Sequence, residues 1–285
     1  MKLSKFAVPA ILAATAFLPL VGAPTVAQGA AVTRTATKVA QPLLSQVKLN
    51  LGEVTVYDYG TLKLHAYKSN DVLSDECYVV EGKDGLVLLE SSAFKDNVRE
   101  LNQYIKSLKK PLEGMFLSYH PNGYTVYANA PIYATNEALA SWNDNGGVAA
   151  LTTNFVKAFG DAVDTNLPAK ATPVKVGETV TVAGVDFKIL ATPDEDYSVE
   201  IPAIHAIYRH MLGSKVHSIL PNLDYMDAEI ADMERYQAAG YDMILTSHYV
   251  PEGQEAVTAK LNYLRTVKKM AASSKNPYLH SVAQK

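Results

Sequence analysis

Cys77-Tyr78-Val79-Val80-Glu81-Gly82-Lys83-Asp84-Gly85-Leu86-Val87-Leu88-Leu89 reads as two apolar strands joined by a tight turn, with Lys83-Asp84-Gly85 as the hairpin signal. Glu90-Ser91-Ser92 follows, and either serine can cap a helix in which Phe94, Val98, Leu101, Ile105 and Leu108 recur at helical spacing. Pro111 lies just past the end of that helix, where it blocks continuation. Met115-Phe116-Leu117 is then a short buried strand that runs into the polar loop Ser118-Tyr119-His120-Pro121-Asn122-Gly123-Tyr124.

Working outward, strand-like runs precede this unit at residues 54–57 and 62–67, separated by Gly60. After it come a strand at 132–134 and helical stretches at 137–142 and 148–163. The second half repeats the arrangement. Strands at 179–182 and 187–190 flank a turn at Gly184-Val185-Asp186, and further strands are expected at 204–208 and 216–220. A helix over 227–239, a buried strand at 243–245 and an amphipathic helix over 255–270 complete the chain. Strands, a helix, and a strand ending in a polar loop, given twice, point to two sheets with helices outside. Periodicity alone leaves a doubly wound α/β fold as the competing reading.

Composition bounds the function. The 285 residues suffice for a sizeable core, and 48% hydrophobic with 19% charged residues is ordinary for a globular chain. A net charge of −3 with no later basic run argues against nucleic acid as a partner. The N-terminus reads as a targeting segment. Lys2 and Lys5 precede an apolar stretch over residues 6–21, and small residues at Ala23, Ala27, Ala30 and Ala31 offer cleavage sites. The apolar run is short for a spanning helix and contains Pro9 and Pro19, so cleavage near Ala27 is expected, with Ala31 the alternative. The expected organisation is a signal peptide at 1–27, a flexible leader at 28–45 and one domain at 46–285. The mature chain is then periplasmic or secreted, without stable membrane insertion. Its single cysteine, Cys77, forms no internal disulfide and reads as a packed core thiol.

The segment 76–121 resembles the opening of a metallo-β-lactamase domain: a hairpin, a turn, a helix, a strand and then a metal motif of the form H-x-H-x-D-H. The resemblance continues to about Glu252. It implies an α+β fold, an αββα sandwich of two mixed sheets packed face to face with helices outside. Aligning the second motif histidine with His120 puts Ser118, Asn122 and Gly123 where the family has His, Asp and His. Thr192-Pro193-Asp194-Glu195-Asp196 stands for the third histidine loop, with Glu195 at the ligand position. The bridging Asp is expected after the strand at 216–220, which places Pro221 there with Asp224 the nearest carboxylate. Ser247-His248 stands for the last ligand.

A catalytic zinc takes about three protein ligands and keeps one position open. The substitutions remove most of the family's donors, so the two-zinc site is expected to be lost and no cofactor is expected. His120, His248 and Glu195 form the best surviving constellation, as a metal-free acid–base group or as the ligands of a single divalent metal. Ser118 is the candidate nucleophile, with His120 or His248 as its base. Tyr119, Asn122, Tyr124 and Tyr197 are the expected ligand-binding residues. His210 and His217 lie near the expected pocket, where either can replace a lost ligand or make a structural hydrogen bond. The resemblance implies hydrolysis of an ester, lactone or amide. The rivals are a noncatalytic periplasmic small-molecule binding protein and a mononuclear metal hydrolase.

Overall fold

The structure is a computed structural model that describes residues 39–127, 130–143, 145–193, 196–212 and 220–273. The expected signal peptide lies outside the described residues, as do Glu195 and His217.

Two sheets carry the fold. The first has eight strands in chain order: β1 (Leu43–Lys48), β2 (Gly52–Asp58), β3 (Lys63–Ser69), β4 (Glu76–Glu81), β5 (Leu86–Leu89), β6 (Leu112–Phe116), β7 (Ile132–Ala134) and β8 (Thr172–Pro173). Strands β1 to β5 run antiparallel through short turns. From β5 onward the pairs are parallel, because each strand is reached by a longer crossover. The first crossover is helix α1 (Lys95–Ser107), whose Val98, Leu101 and Ile105 are buried at the expected spacing.

The second sheet contains β9 (Thr179–Val182), β10 (Val185–Ala191), β11 (Tyr197–Ile201), β12 (Ala206–Arg209) and β13 (Met243–Thr246), in the order β13-β12-β11-β10-β9. Its β12–β13 pair is parallel and the others are antiparallel, so both sheets are mixed. Helices α2 (Asn136–Ser141) and α3 (Gly147–Phe159) follow β7, α4 (Leu223–Ala239) connects β12 to β13, and α5 (Gln254–Ser273) comes last.

The sheets meet face to face. Phe116 of β6 lies 5.0 Å from Phe187 of β10, ring centre to ring centre, and Tyr78 of β4 sets its edge against Tyr208 of β12. One apolar core spans both sheets, and a second joins Ile207 and Ile244 to Met233, Tyr236, Val257 and Leu261 of α4 and α5. Strands β4 and β5 read as unbroken apolar runs because they are covered on both faces. The expected α+β architecture of two mixed sheets with helices outside is the architecture observed. No helix among the described residues is long and apolar enough to cross a membrane.

Several expectations are corrected. Residues 43–45, read as leader, belong to β1, which pairs with β2 over its whole length. The second-sheet turn is Ala183-Gly184, one residue earlier than expected, with both residues at positive φ as a two-residue hairpin of this hand requires. Residues 197–201, for which no element is expected, form β11. The strand expected at 204–208 starts at Ala206, after a short 3₁₀ turn over Pro202–Ile204.

Candidate active site

The strands that carry the site all point their C-terminal ends to one edge of the sandwich, the place where strand-end loops collect functional groups. His120 sits in the loop after β6. His210 directly follows β12, and His248 follows β13 by two residues. The parallel β12–β13 ladder ends both strands together, and the Ser247 amide donates to the His210 carbonyl at 2.8 Å.

The three imidazoles form one cluster. Ring centres are 5.0 Å apart for His120 and His248, and 5.3 Å for each pair that includes His210. One nitrogen from each ring lies within 4.8 Å of the other two, and His120 Nε2 is 3.3 Å from His210 Nε2. Tyr119 stacks on His210 with centres 4.0 Å apart and planes within 10°, which fixes that ring's orientation. His248 Nδ1 lies 3.0 Å from the Leu73 carbonyl, an acceptor only, so Nδ1 carries the proton and Nε2 keeps its lone pair. Burial first, and the neighbouring His248 second, pull the His120 imidazole down to about 3. Burial also pushes His210 well below the ordinary histidine range, with His120, His248 and Arg209 adding to it. Both rings are therefore neutral at physiological pH, the state in which imidazole binds a metal.

Two carboxylates stand behind the cluster, and they differ. Glu90, fully buried at the end of β5, accepts from the Ser118 amide (2.7 Å), the His120 amide (2.7 Å) and the Ser118 hydroxyl, with the Tyr208 hydroxyl a further partner. Burial pushes its carboxyl up to about 7 while these donors pull the other way. Asp75, 1% exposed, receives the Ser92 hydroxyl (2.9 Å) and the Ala93 amide (3.0 Å) on Oδ2. Among the described residues its Oδ1 has no hydrogen-bond partner, and neither does His120 Nδ1. Oδ1 lies 3.9 Å from His120 Nδ1 and 3.6 Å from His248 Nδ1.

Backbone strain collects at the same edge. Ser74, Glu90 and Tyr249, none of them glycine, have φ of 54°, 61° and 71°. They adjoin Asp75, end β5 and follow His248, respectively. Strained residues of this kind persist where the surroundings over-determine them, as at functional sites.

The expected site residues divide. His120 and His248 come together. The Ser118 hydroxyl is buried against Glu90 and has no imidazole partner, so the nucleophile–base pairing is not formed. Asn122 is a buried fastener that donates to Thr152 Oγ1 and to the Asp164 carbonyl, not a ligand-binding group. Tyr197 is a core residue with its hydroxyl 2.8 Å from the carbonyls of Leu117 and Tyr133. Tyr124 lines a surface hollow with Ala130 and Ile132, away from the cluster. Only Tyr119, of the four, touches a clustered histidine. Gly123 has φ of 71°, and a Cβ there would fall 2.8 Å from a Val98 methyl, so no side chain donates from that position.

His210 occupies the place assigned to Pro221. The strand that neighbours β13 in parallel is β12, and its end delivers His210; the strand expected at 216–220 falls on residues of which 216–219 lie outside the described ones. Asp75 had no signal at all in the chain. A cavity of about 1000 Å³ opens nearby, between α2, the α2–α3 loop and the start of β11, lined by Thr135, Asn143, Thr192 and Asp196. None of the three histidines lines it.

Solved structures share this architecture. A metallo-β-lactamase family protein from Thermus thermophilus is similar at 14% identity and a TM-score of 0.57, over 76% of this chain and 83% of its own. A β-lactamase domain protein from Burkholderia ambifaria is similar at 11% identity and a TM-score of 0.56, over 76% and 77%. A stereoselective inverting sec-alkylsulfatase from Pseudomonas sp. is similar at 15% identity and a TM-score of 0.53, over 73% of this chain and 42% of that one. No protein-family model matches the sequence, and no curated protein does.

Proposed function

We propose that this chain, which has the metallo-β-lactamase fold, is a hydrolase of ester, lactone or amide bonds that works with a single divalent metal held by His120, His210 and His248. The observation that carries this reading is the convergence of three imidazoles at the strand-end edge, one nitrogen of each within 4.8 Å of the others. One donor pair already has the spacing such an ion needs. Bonds of about 2.0–2.1 Å at a tetrahedral centre separate two donors by about 3.4 Å, and His120 Nε2 and His210 Nε2 stand 3.3 Å apart. Three imidazoles leave one position open, as in catalytic rather than structural zinc sites. Zinc bound there would act as a Lewis acid and bring the pKa of water close to 7.

The chain's own residues prepare the site. Leu73 holds His248 in the tautomer that offers Nε2, and Tyr119 holds the His210 ring flat. Glu90 fixes the His120 backbone, and the Ser247 amide ties the two second-sheet loops together. His210 supplies the third donor of the cluster. The exposed rim beside the cluster includes Met211, Tyr249 and Val250, which favours an uncharged substrate. Lys2, Lys5 and the apolar stretch after them favour export to the periplasm or beyond.

Metal analysis of the purified protein, beside His120→Ala, His210→Ala and His248→Ala, tests the reading. About one equivalent of zinc in the wild type and under a tenth in each variant is expected. Chromogenic esters and lactones supply the activity readout. Hydrolysis that survives unchanged in all three variants would remove the cluster from the mechanism.

A further inference from the structure

The structure assigns Asp75 as the positioning residue that sets the proton on His120 and so aims its Nε2 into the cluster. This deepens the single-metal reading and rests on it for its consequence. Asp75 lies in the loop before β4, next to none of the histidines in sequence. It reaches them because the loop over residues 70–75 is strapped across the site: Tyr249 donates its amide to the Ser74 carbonyl, and Glu76 donates its amide to the Ser247 carbonyl.

The argument is one of proton accounting. The Ala93 amide can only donate to Oδ2, so that oxygen is committed as an acceptor, and the Ser92 hydroxyl donates to it as well. Oδ1 then faces His120 Nδ1 and His248 Nδ1, buried and with no other partner. His248 already spends its Nδ1 proton on Leu73. Among the described residues Asp75 is the acceptor that faces His120 Nδ1, at 3.9 Å, and an unpaired buried N–H is costly. Burial pushes the Asp75 carboxyl up, while the Ala93 amide, His248 and the Ser92 hydroxyl pull it down; in its ionised form it favours the Nδ1–H tautomer of His120. That choice leaves the Nε2 lone pair facing His210, 3.3 Å away. A carboxylate behind a metal-binding imidazole commonly has this effect, and its loss lowers metal affinity about 10–100-fold.

Asp75→Asn gives a directional test. The Ala93 amide still needs an acceptor, so the new carbonyl must take the place of Oδ2. The new NH₂ must then face His120 Nδ1, donor toward ring. His120 is pushed to the Nε2–H tautomer, which removes its lone pair from the cluster. Long-range ¹H–¹⁵N NMR of the metal-free protein is expected to show His120 protonated on Nδ1 in the wild type and on Nε2 in Asp75→Asn. Competition with a zinc chelator is expected to show zinc bound about 10–100-fold more weakly by the variant. The metal-free variant is expected to melt within a few degrees of the wild type.

The same His120 tautomer in both proteins, or zinc affinity within twofold, overturns the assignment. If the wild type binds no zinc, the single-metal reading fails, while the NMR comparison still decides what Asp75 does. Should Asp75→Asn not fold, Ser92→Ala keeps the carboxylate and removes one of its two anchors. Roughly threefold to tenfold weaker zinc binding is then expected, and unchanged binding overturns the assignment.

Discussion

Two buried polar groups lie side by side at the open edge of the sandwich, and they are built on opposite rules. Around Glu90, each carboxylate oxygen is met by a donor: Ser118 by amide and hydroxyl, and His120 by its amide. Around Asp75, one oxygen is satisfied and the other is not, and the imidazole facing it is equally unpaired. A satisfied network holds a fold in one arrangement. An unsatisfied one costs stability and persists where something else is gained. The contrast separates the scaffold from the place where chemistry is expected, although the two share the His120 loop.

The contrast is sharpest at Glu90 itself. Glu90→Ala strands the buried donors of Ser118, His120 and Tyr208 and should cost about 3–5 kcal/mol, read as a fall in the urea midpoint at constant slope. A loss under about 1 kcal/mol would mean that water replaces the carboxylate, and the network is then not the scaffold.

Glu76 extends the comparison to a buried carboxyl away from the imidazoles. Burial pushes it up to about 8, opposed by Lys68 and reinforced by Glu53, and its Oε2 has no partner. The folded value lies above the ordinary 4.5, so the fold favours the neutral form. That contribution is complete below about pH 4.5 and is lost as pH rises through about 8. Melting curves between about pH 5 and 9 should show stability declining by roughly 2–4 kcal/mol, and Glu76→Gln should flatten the decline. An unchanged slope in the variant would place the titration elsewhere.

Tyr208→Phe probes the edge of the satisfied network. Its hydroxyl meets Ser247 Oγ at 2.7 Å and also Glu90, so its removal should cost about 1–2 kcal/mol without altering metal content. A loss of metal would show that the two groups are one.

The smallest stability change is expected at the histidines. His248→Ala removes a ring with 12% of its side chain exposed and should change the metal-free stability by less than about 1 kcal/mol, while abolishing zinc binding. A loss as large as that of Glu90→Ala would make His248 part of the scaffold.

The sequence made the frame legible where one physical signal dominated. The 77–89 hairpin and α1 follow from apolar runs, a glycine turn and helical spacing. Strand β1 escaped because Leu43-Leu44-Ser45-Gln46-Val47-Lys48 is exposed throughout and so lacks the one-sided alternation of a covered strand. Strand β11 escaped because the acidic triplet before Tyr197 read as one continuous polar loop. His120 and His248 were found through the resemblance. His210 stays one of two open alternatives in the sequence, because sequence order does not say which strand lies beside β13. Asp75 was beyond reach, since its role arises only where three distant loops meet.

Gly123 also limits how the site can change. Its backbone lies at φ 71° with the Val98 side chain pressed against it. A histidine introduced there would meet strain and collision before it could offer a nitrogen. Val98 is in turn fully buried on the face of α1 that packs into the core. Adding a donor at that position therefore takes at least two changes, one of them in the core. A side chain at Gly123 meets the collision until Val98 is made smaller, so the order of the two changes matters. For a protein engineer, the accessible starting point is α1 and not the loop that carries the ligands.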